Sequence, residues 1–518
     1  MKLNPVFKDP YWQMAGLFVL IKFCLHLFTF NNYELHRDEL LFFNQGAHVS
    51  FGNVSVPPFI GWVAFVIRNL FGYSVFGVRL IPMLLGALSV FVVAKIVKEL
   101  GGGVLALLLA LSAFVLSPGF LIFGSLFTVN IFDQFFWLVI SYLFIRMVNS
   151  GNPKLWIWIG IAGGIAFPNK YLVLYLLAGF AIALLLSPQR KLFLQKQFVY
   201  AFIIGSIIIS PNIFWQHTHG WPFFLQISEL EKTQMVNMTY RNFIIDLYNL
   251  NYVSTFFWLG GFITVLLAKS EKKHRYLGIV SIVVIGLFML SKGKAYHTLG
   301  LYPALFAVSG CLMEKYFTGK WRIINYLVWV HIVLFSCLSA PFSLPLLSFE
   351  KLGKYAEKTA GFVSYPFSRW EDGKIHPVSQ VFSDMTGWEE MVGLVNQAYQ
   401  QIPENERKNT TIYAERNYGY AGAVNFYGKK YHLPEAITFL ESYVIWAPDT
   451  LAKGPLIYIN YETAGIDSFF EKCTETGTVS NTYFRENGLK VFLCEKPNNQ
   501  LQEVYKQKAM EEKKKFNQ

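Results

Sequence analysis

Up to about Phe342 the chain is a succession of apolar runs separated by short basic or aromatic loops, and from about Pro345 it turns into mixed-polarity sequence. A helix needs about 20 apolar residues to cross a bilayer core. Runs centred on residues 11–30, 75–94, 103–118, 130–148, 155–168, 171–187, 198–214, 252–268, 276–291, 295–313 and 323–342 therefore predict about eleven spans. Tyr11 to Phe30 is long enough to span and has no small-residue cleavage site, so it reads as a first span rather than a signal peptide. Beyond residue 345 the pattern becomes that of an α/β domain. β-rich runs are expected at 411–413, 436–439, 455–460, 478–484 and 490–494, and helices at 388–401, 418–427 and 465–472. The tail from Lys496, with its EEKKK cluster, reads as a solvated helix or disorder. The expected architecture is a polytopic α-helical membrane protein (1–344) with a C-terminal extracytoplasmic α/β domain (345–495) and a charged tail (496–518).

Composition supports this division: 53% of the 518 residues are apolar, 17% are aromatic and 15% are charged, where soluble chains carry roughly a quarter charged residues. The net charge of +12 then reads as helix anchoring rather than nucleic-acid binding. With the N-terminus and its Lys2 and Lys8 inside, every alternate loop is basic: Lys95 and Lys98; Arg146 and Lys154; Arg190, Lys191 and Lys196; Lys269, Lys272, Lys273 and Arg275; Lys315, Lys320 and Arg322. Cations mark cytoplasmic loops, so an odd span count sends the C-terminal domain outward, across a bacterial plasma (inner) membrane. Cys24, Cys311 and Cys337 lie in apolar runs, whereas Cys473 and Cys494 sit on the oxidising side, where they can pair.

Ionisable groups at outward span ends are the informative ones, because each costs roughly 2.5–3.5 kcal/mol at a helix centre. The first outer loop is the densest such place, with Glu34, His36, Arg37, Asp38 and Glu39 directly after the first span. Apolar segments from Leu40 and from Pro57 to Leu70 can lie flat at the membrane surface and hold these carboxylates near the headgroups. The plain alternative is a solvated loop cap.

The stretch HRDELLFFNQGAHVSFGNVSVPPFIGW, followed by RLIPMLLGALSVFVVAKIVKELGG, resembles the start of the GT-C membrane glycosyltransferases of the protein O-mannosyltransferase and aminoarabinose (lipid A) transferase type. SLFTVNIFDQFFW, GGIAFPNKYLVL, SPNIFWQHTHGWPF and SKGKAYHTLGLYPAL fit in order, as do GWEEMVGLVNQAYQQIP, NYGYAGAVNFYG and YVIWAP in the outward domain. The resemblance implies transfer of a sugar from a polyprenyl-phosphate donor to an acceptor lipid, glycan or protein at the outer face. It implies Asp38 as the general base, with Glu39 orienting the acceptor, a neighbouring side chain or a metal. Both carboxylates call for a nearby cation such as Arg37 or Arg79. Many relatives carry a basic residue or His just before the Pro-Pro of this loop; here that position is Val56, preceded by Ser55.

A departing phosphate needs outward cations. Lys170, Lys292 and Lys294 sit at outward hairpins, with Tyr296 and His297 after the latter pair as hydrogen-bond donors; interfacial snorkelling and anchoring are the bland readings. Arg241 is a further cation in the long loop after Trp215, and His36 extends the set toward substrate. Asp133, with Asn130 before it, is placed either to contact sugar hydroxyls or to bond between helices. His217 and His219 lack a third ligand for zinc. No metal or cofactor motif is present, which leaves a divalent cation open, and no nucleotide-sugar fingerprint appears. A transporter and a non-catalytic lipid-carrier-binding assembly protein are the competing readings. Charges gathered at span ends, no visible repeat and the Asp38–Glu39 pair favour the transferase.

Overall fold

The computed structural model describes residues 8–516 apart from 234, 360–369 and 371–372; the anchor Lys2 lies outside them. The membrane part is built from α1 (Pro10–Leu27), α2 (Arg37–Gln45), α3 (Phe59–Phe71), α4 (Val75–Glu99), α5 (Val104–Leu116), α6 (Pro118–Gly124), α7 (Val129–Ser150), α8 (Leu155–Ala166), α9 (Val173–Leu185), α10 (Lys196–Thr218), α11 (Pro222–Thr233), α12 (Tyr240–Asn251), α13 (Thr255–Leu267), α14 (Arg275–Leu290), α15 (Tyr302–Tyr316) and α16 (Ile323–Ser343). Helices occupy all eleven expected intervals. By length and apolarity five continuous helical stretches can cross a membrane, or seven if two bent pairs each count as one span. One bent pair is α5 and α6, which turn by 59° at Ser117, where Pro118 removes a backbone donor.

Two buried polar groups that the apolar pattern conceals hold that bend. Lys22, on α1, donates to the Phe120 carbonyl at 2.8 Å, and the His26 ring meets the Ser125 hydroxyl at 3.1 Å.

The two segments expected to lie flat at the membrane surface form the helices α2 and α3. The C-terminal part, after α17 (Phe349–Lys358), carries a five-stranded sheet in the order β2-β1-β3-β5-β4, with β1 (Thr411–Ala414), β2 (Ala436–Ile437), β3 (Leu456–Asn460), β4 (Phe470–Thr478) and β5 (Lys490–Pro497). β1 runs parallel to β2 and β3, while β5 is antiparallel to β3 and β4. The helices are α18 (Trp388–Gln401), α19 (Tyr418–Tyr427) and α20 (Asn499–Lys514).

Three readings of this region are corrected. The expected helix at 465–472 is a short turn running into strand β4, and the expected strand at 478–484 is mostly loop after that strand. The tail is an ordered helix that buries Leu501, Tyr505 and Ala509 against the sheet, so its apolar stripe docks it rather than leaving it solvated. Cys473 and Cys494 face each other across β4 and β5 and form a disulfide.

One apolar core joins the two parts. Leu40, Phe43, Ile60 and Ala64 from α2 and α3 pack with Trp388, Val392, Tyr420, Ile412 and Val491 of the C-terminal part. α19 lies so close to α2 that a Cβ at Gly422 would fall 2.9 Å from the Leu40 Cβ, a contact only glycine permits. On the other flank the loop after α2 lies flush on α10, where a Cβ at Gly52 would fall onto the Trp215 ring.

Candidate active site

The acidic segment after the first span is organised by the start of α2. His36 is the N-cap, and its Nδ1 accepts the Asp38 N–H at 3.1 Å. Glu39 reaches back to accept the His36 N–H at 2.8 Å, closing a reciprocal cap. The two carboxylates are thereby turned in opposite directions and meet different surroundings.

Glu39 points inward and is fully buried. Arg79, at the start of α4, pairs with it at 3.0 Å, and the Phe127 N–H donates to it at 2.9 Å. The same guanidinium donates to the carbonyls of Phe30, Tyr33 and Glu34. Glu39 therefore acts on its neighbours, tying α2, α4 and the start of α7 into one unit. Arg79 is the cation expected beside it, and it is occupied by the protein.

Asp38 faces the opposite way, with 34% of its side chain exposed. The Tyr418 hydroxyl, from α19, donates to its Oδ1 at 2.5 Å. His36 and Arg37 lie at 3.8 and 3.7 Å. Burial alone raises the Asp38 pKa, but the neighbouring His36, the Arg37 charge, the Tyr418 hydrogen bond and Lys294 outweigh it and leave the carboxyl below its usual range. Behind them Asp384 receives His36 at 3.7 Å, Arg37 at 3.4 Å and Arg485 at 3.2 Å. Burial raises its own pKa despite these cations.

A second group of side chains comes from the membrane helices. Lys170, at the hairpin between α8 and α9, donates to Asn130 Oδ1 at 2.7 Å and meets His297 Nδ1 at 2.8 Å, with its ammonium 5.7 Å from the centre of the Tyr296 ring. Asp133, one turn along α7 from Asn130, is buried and within electrostatic reach of Lys170. Lys294 bridges the groups, because its charge acts on both Asp38 and Lys170. The arrangement places a carboxylate able to accept a proton next to a set of cations able to hold an anion.

The other candidates stand apart. Lys292 is exposed and ends α14 in the left-handed conformation (φ 51°). Arg241 is exposed at the start of α12 and makes no hydrogen bond or ion pair with the cluster among the described residues. His219 stacks on Trp215 with 4.1 Å between ring centres, and among the described residues no three His, Cys, Asp or Glu side chains converge as a metal site would require. Val56, at the position before Pro-Pro, packs against the apolar core between the two parts.

Tyr418, Asp384 and Glu441 are site neighbours that sequence reasoning passed over. Tyr418 lies in the NYGYAGAVNFYG stretch and Glu441 directly precedes the SYVIWAP segment; only the docking of the C-terminal part brings either to Asp38.

Residues 55–215 match the family described as dolichyl-phosphate-mannose-protein mannosyltransferase. Lipid A galacturonosyltransferase RgtD of Rhizobium johnstonii is 24% identical over 209 residues, which is 40% of this chain and 44% of that protein; the match thus spans under half of the relative. In fold, the chain is similar to ArnT from Cupriavidus metallidurans bound to undecaprenyl phosphate, with a TM-score of 0.64 and 13% identity over 92% of this chain and 97% of that one. The apo form of the same protein matches at a TM-score of 0.60 and 12% identity, over 93% and 98% of the two chains.

Proposed function

We propose that this chain, a membrane glycosyltransferase of the GT-C type, moves a sugar from a polyprenyl-phosphate donor to an envelope acceptor with inversion, at the outer face of a bacterial plasma membrane. The observation that carries the reading is that Lys294 acts both on Asp38, part-exposed and charge-stabilised, and on Lys170, which the membrane helices hold through Asn130 and His297. Asp38 accepts the proton of the attacking acceptor hydroxyl. The acceptor oxygen bonds to the anomeric carbon as the carbon–oxygen bond to phosphate breaks, and polyprenyl phosphate leaves with the bonding electrons. A single displacement needs one base beside the nucleophile, not the carboxylate pair of a retaining hydrolase. The negative charge that grows on the leaving phosphate is met by Lys294 and Lys170, oriented by Asn130 and His297.

Two expectations test the donor half and the topology. Lys170→Ala and Lys294→Ala should each weaken undecaprenyl phosphate binding by about ten- to hundredfold, the size of a lost charged hydrogen bond. Lys292→Ala, outside the cluster, should change it little. Titration of the full-length protein in nanodiscs reads both, and unchanged affinity in both cluster variants would remove the lysines from the site. For topology, a cysteine at exposed Lys453 should react with an impermeant maleimide in intact cells, while one at exposed Lys272 should not. The reverse pattern would invert the orientation. Mass spectrometry of envelope glycolipids, polysaccharides and glycoproteins with and without the active chain identifies sugar and acceptor.

A further inference from the structure

An apolar groove runs along the membrane helices away from the candidate active site. The stretches Tyr240–Leu267 and Gly319–Ser343 are each long and apolar enough to cross a membrane. Together with α15 they line a groove of about 610 Å³, within the range of roughly 300–1,000 Å³ that small-molecule sites occupy. Ser309 and Leu312 of α15 form its floor, Phe256 and Gly260 one wall, and Leu327 and Val328 of α16 the other. Phe256 and Leu327 are exposed, so the groove opens sideways, toward lipid.

Two adjacent glycines on α13 have different explanations. Glycine in a membrane helix ordinarily lets another helix come close, and Gly261 does so, because a Cβ there would collide with the Ser309 hydroxyl. Gly260 has no such neighbour. It lines the groove, and among the described residues nothing beyond its own stretch of helix lies within 4 Å of where its Cβ would stand. Glycine is the poorest helix former apart from proline, so its place here answers to the room it leaves and not to packing within the chain.

One end of the groove is marked by Tyr316, Phe317 and Ile324, and it meets a basic rim. The Tyr316 hydroxyl contacts the Ser270 hydroxyl at 2.9 Å, Lys315 pairs with Glu271 at 2.9 Å, and Asn325 donates to the Phe317 carbonyl at 3.0 Å. The loops 268–275 and 317–322 are thereby gathered at this mouth. Glu271 is their one carboxylate, and Lys315 occupies it. Lys269, Lys272, Lys273, Lys320 and Arg322 are exposed and make no ion pair among the described residues. Anchoring accounts for cations in such loops, but not for a groove that leads from them into the apolar part. The rim is also remote from the donor lysines. α14, 16 residues and therefore about 24 Å long, runs from Arg275 at the rim to Leu290, and Lys294 lies beyond its far end.

We propose that this groove binds an anionic glycerophospholipid, with one acyl chain lying over Gly260 between α13 and α16. The phosphate sits at the rim, where Lys269 follows α13 and Lys320 and Arg322 precede α16. Basic pockets between membrane helices hold anionic headgroups in this way. A zwitterionic lipid fills the chain space but gains nothing from the unpaired cations. A polyprenyl phosphate also joins an anion to a chain, but its phosphate belongs with Lys170 and Lys294, a helix length away.

The test places the full-length protein in phosphatidylcholine nanodiscs with a small fraction of phosphatidylglycerol that carries a photoreactive group midway along one acyl chain. Mass spectrometry maps the residues it labels. Phe256 and Leu327 should be labelled at least about tenfold more than by phosphatidylcholine bearing the same group. Lys320→Gln combined with Arg322→Gln should remove about tenfold or more of that preference. Gly260→Leu should abolish the labelling by filling the groove, and it should melt at or above the wild-type temperature in phosphatidylcholine alone, because leucine enters open space and is the better helix former. Equal labelling by the two lipids, or a preference that survives both the rim and the Gly260 substitutions, marks ordinary boundary lipid and overturns the proposal. Loss of the labelling when an equal amount of undecaprenyl phosphate is added assigns the groove to a polyprenyl chain and overturns it too.

Discussion

Asp38→Asn is expected to lower sugar transfer by about 10²–10⁴-fold, the usual contribution of a positioned general base, while the protein still folds, inserts and binds undecaprenyl phosphate. The amide is nearly the same size as the carboxylate, and its oxygen can keep the hydrogen bond from Tyr418 at 2.5 Å, so local packing should survive. What is lost is the proton acceptor. Because His36, Arg37, Tyr418 and Lys294 together hold the Asp38 carboxyl below its usual range against the effect of burial, it is ionised throughout the physiological window. Wild-type transfer should therefore show no acid limb from Asp38 above about pH 5, given a reference carboxylate value near 4. Replacing Arg37 with Gln removes one of the stabilising charges and should move that limb upward. Single-turnover transfer measured between pH 4 and 8 for wild type, Asp38→Asn and Arg37→Gln separates these effects. Near-normal transfer by Asp38→Asn would dismiss Asp38 as the base.

Much of the membrane part is legible from local sequence because a bilayer imposes a length and a polarity on each crossing. Helices α4, α7, α10 and α16 follow directly from their apolar runs. Lys22 and His26 escape that reading because single polar residues inside a run do not break it, and their partners, Phe120 and Ser125, lie on another helix. In the C-terminal part, β1 and β3 are buried and rich in apolar residues, so their pattern is clear. β4 reads FEKCTETGT and is mostly polar on both faces at the sheet edge; its charged residues suit a helix equally well, and only pairing with β5 decides the matter. The site divides the same way. Asp38 and Glu39 are adjacent in sequence and legible as a pair, but their opposite orientations depend on the cap that starts α2. Tyr418, Asp384 and Glu441 are separated from Asp38 by more than three hundred residues, and only the shared core of α2, α19 and the sheet brings them near it.

The orientation of Glu39 leads to an effect of a different kind from that of Asp38. Glu39→Ala should destabilise the fold by about 3–5 kcal/mol, the penalty for leaving a buried charge without its partner, because Arg79 is 2% exposed and Glu39 is not exposed at all. The His36 and Phe127 N–H groups lose their acceptor as well, which loosens both the start of α2 and the approach to α7. Arg79→Met should cost a similar amount, since it strands Glu39 and three backbone carbonyls. In the double variant the charge penalty is relieved, so the two losses should sum to less than their separate values, with a coupling of about 0.5–3 kcal/mol. Thermal melts of all four proteins in one detergent measure this directly. A Glu39→Ala protein that melts like wild type while losing transfer would move Glu39 out of the scaffold and into direct contact with substrate. The expected order is the opposite: Asp38→Asn folds normally and does not transfer, whereas Glu39→Ala fails to transfer because the loop that presents Asp38 is no longer held.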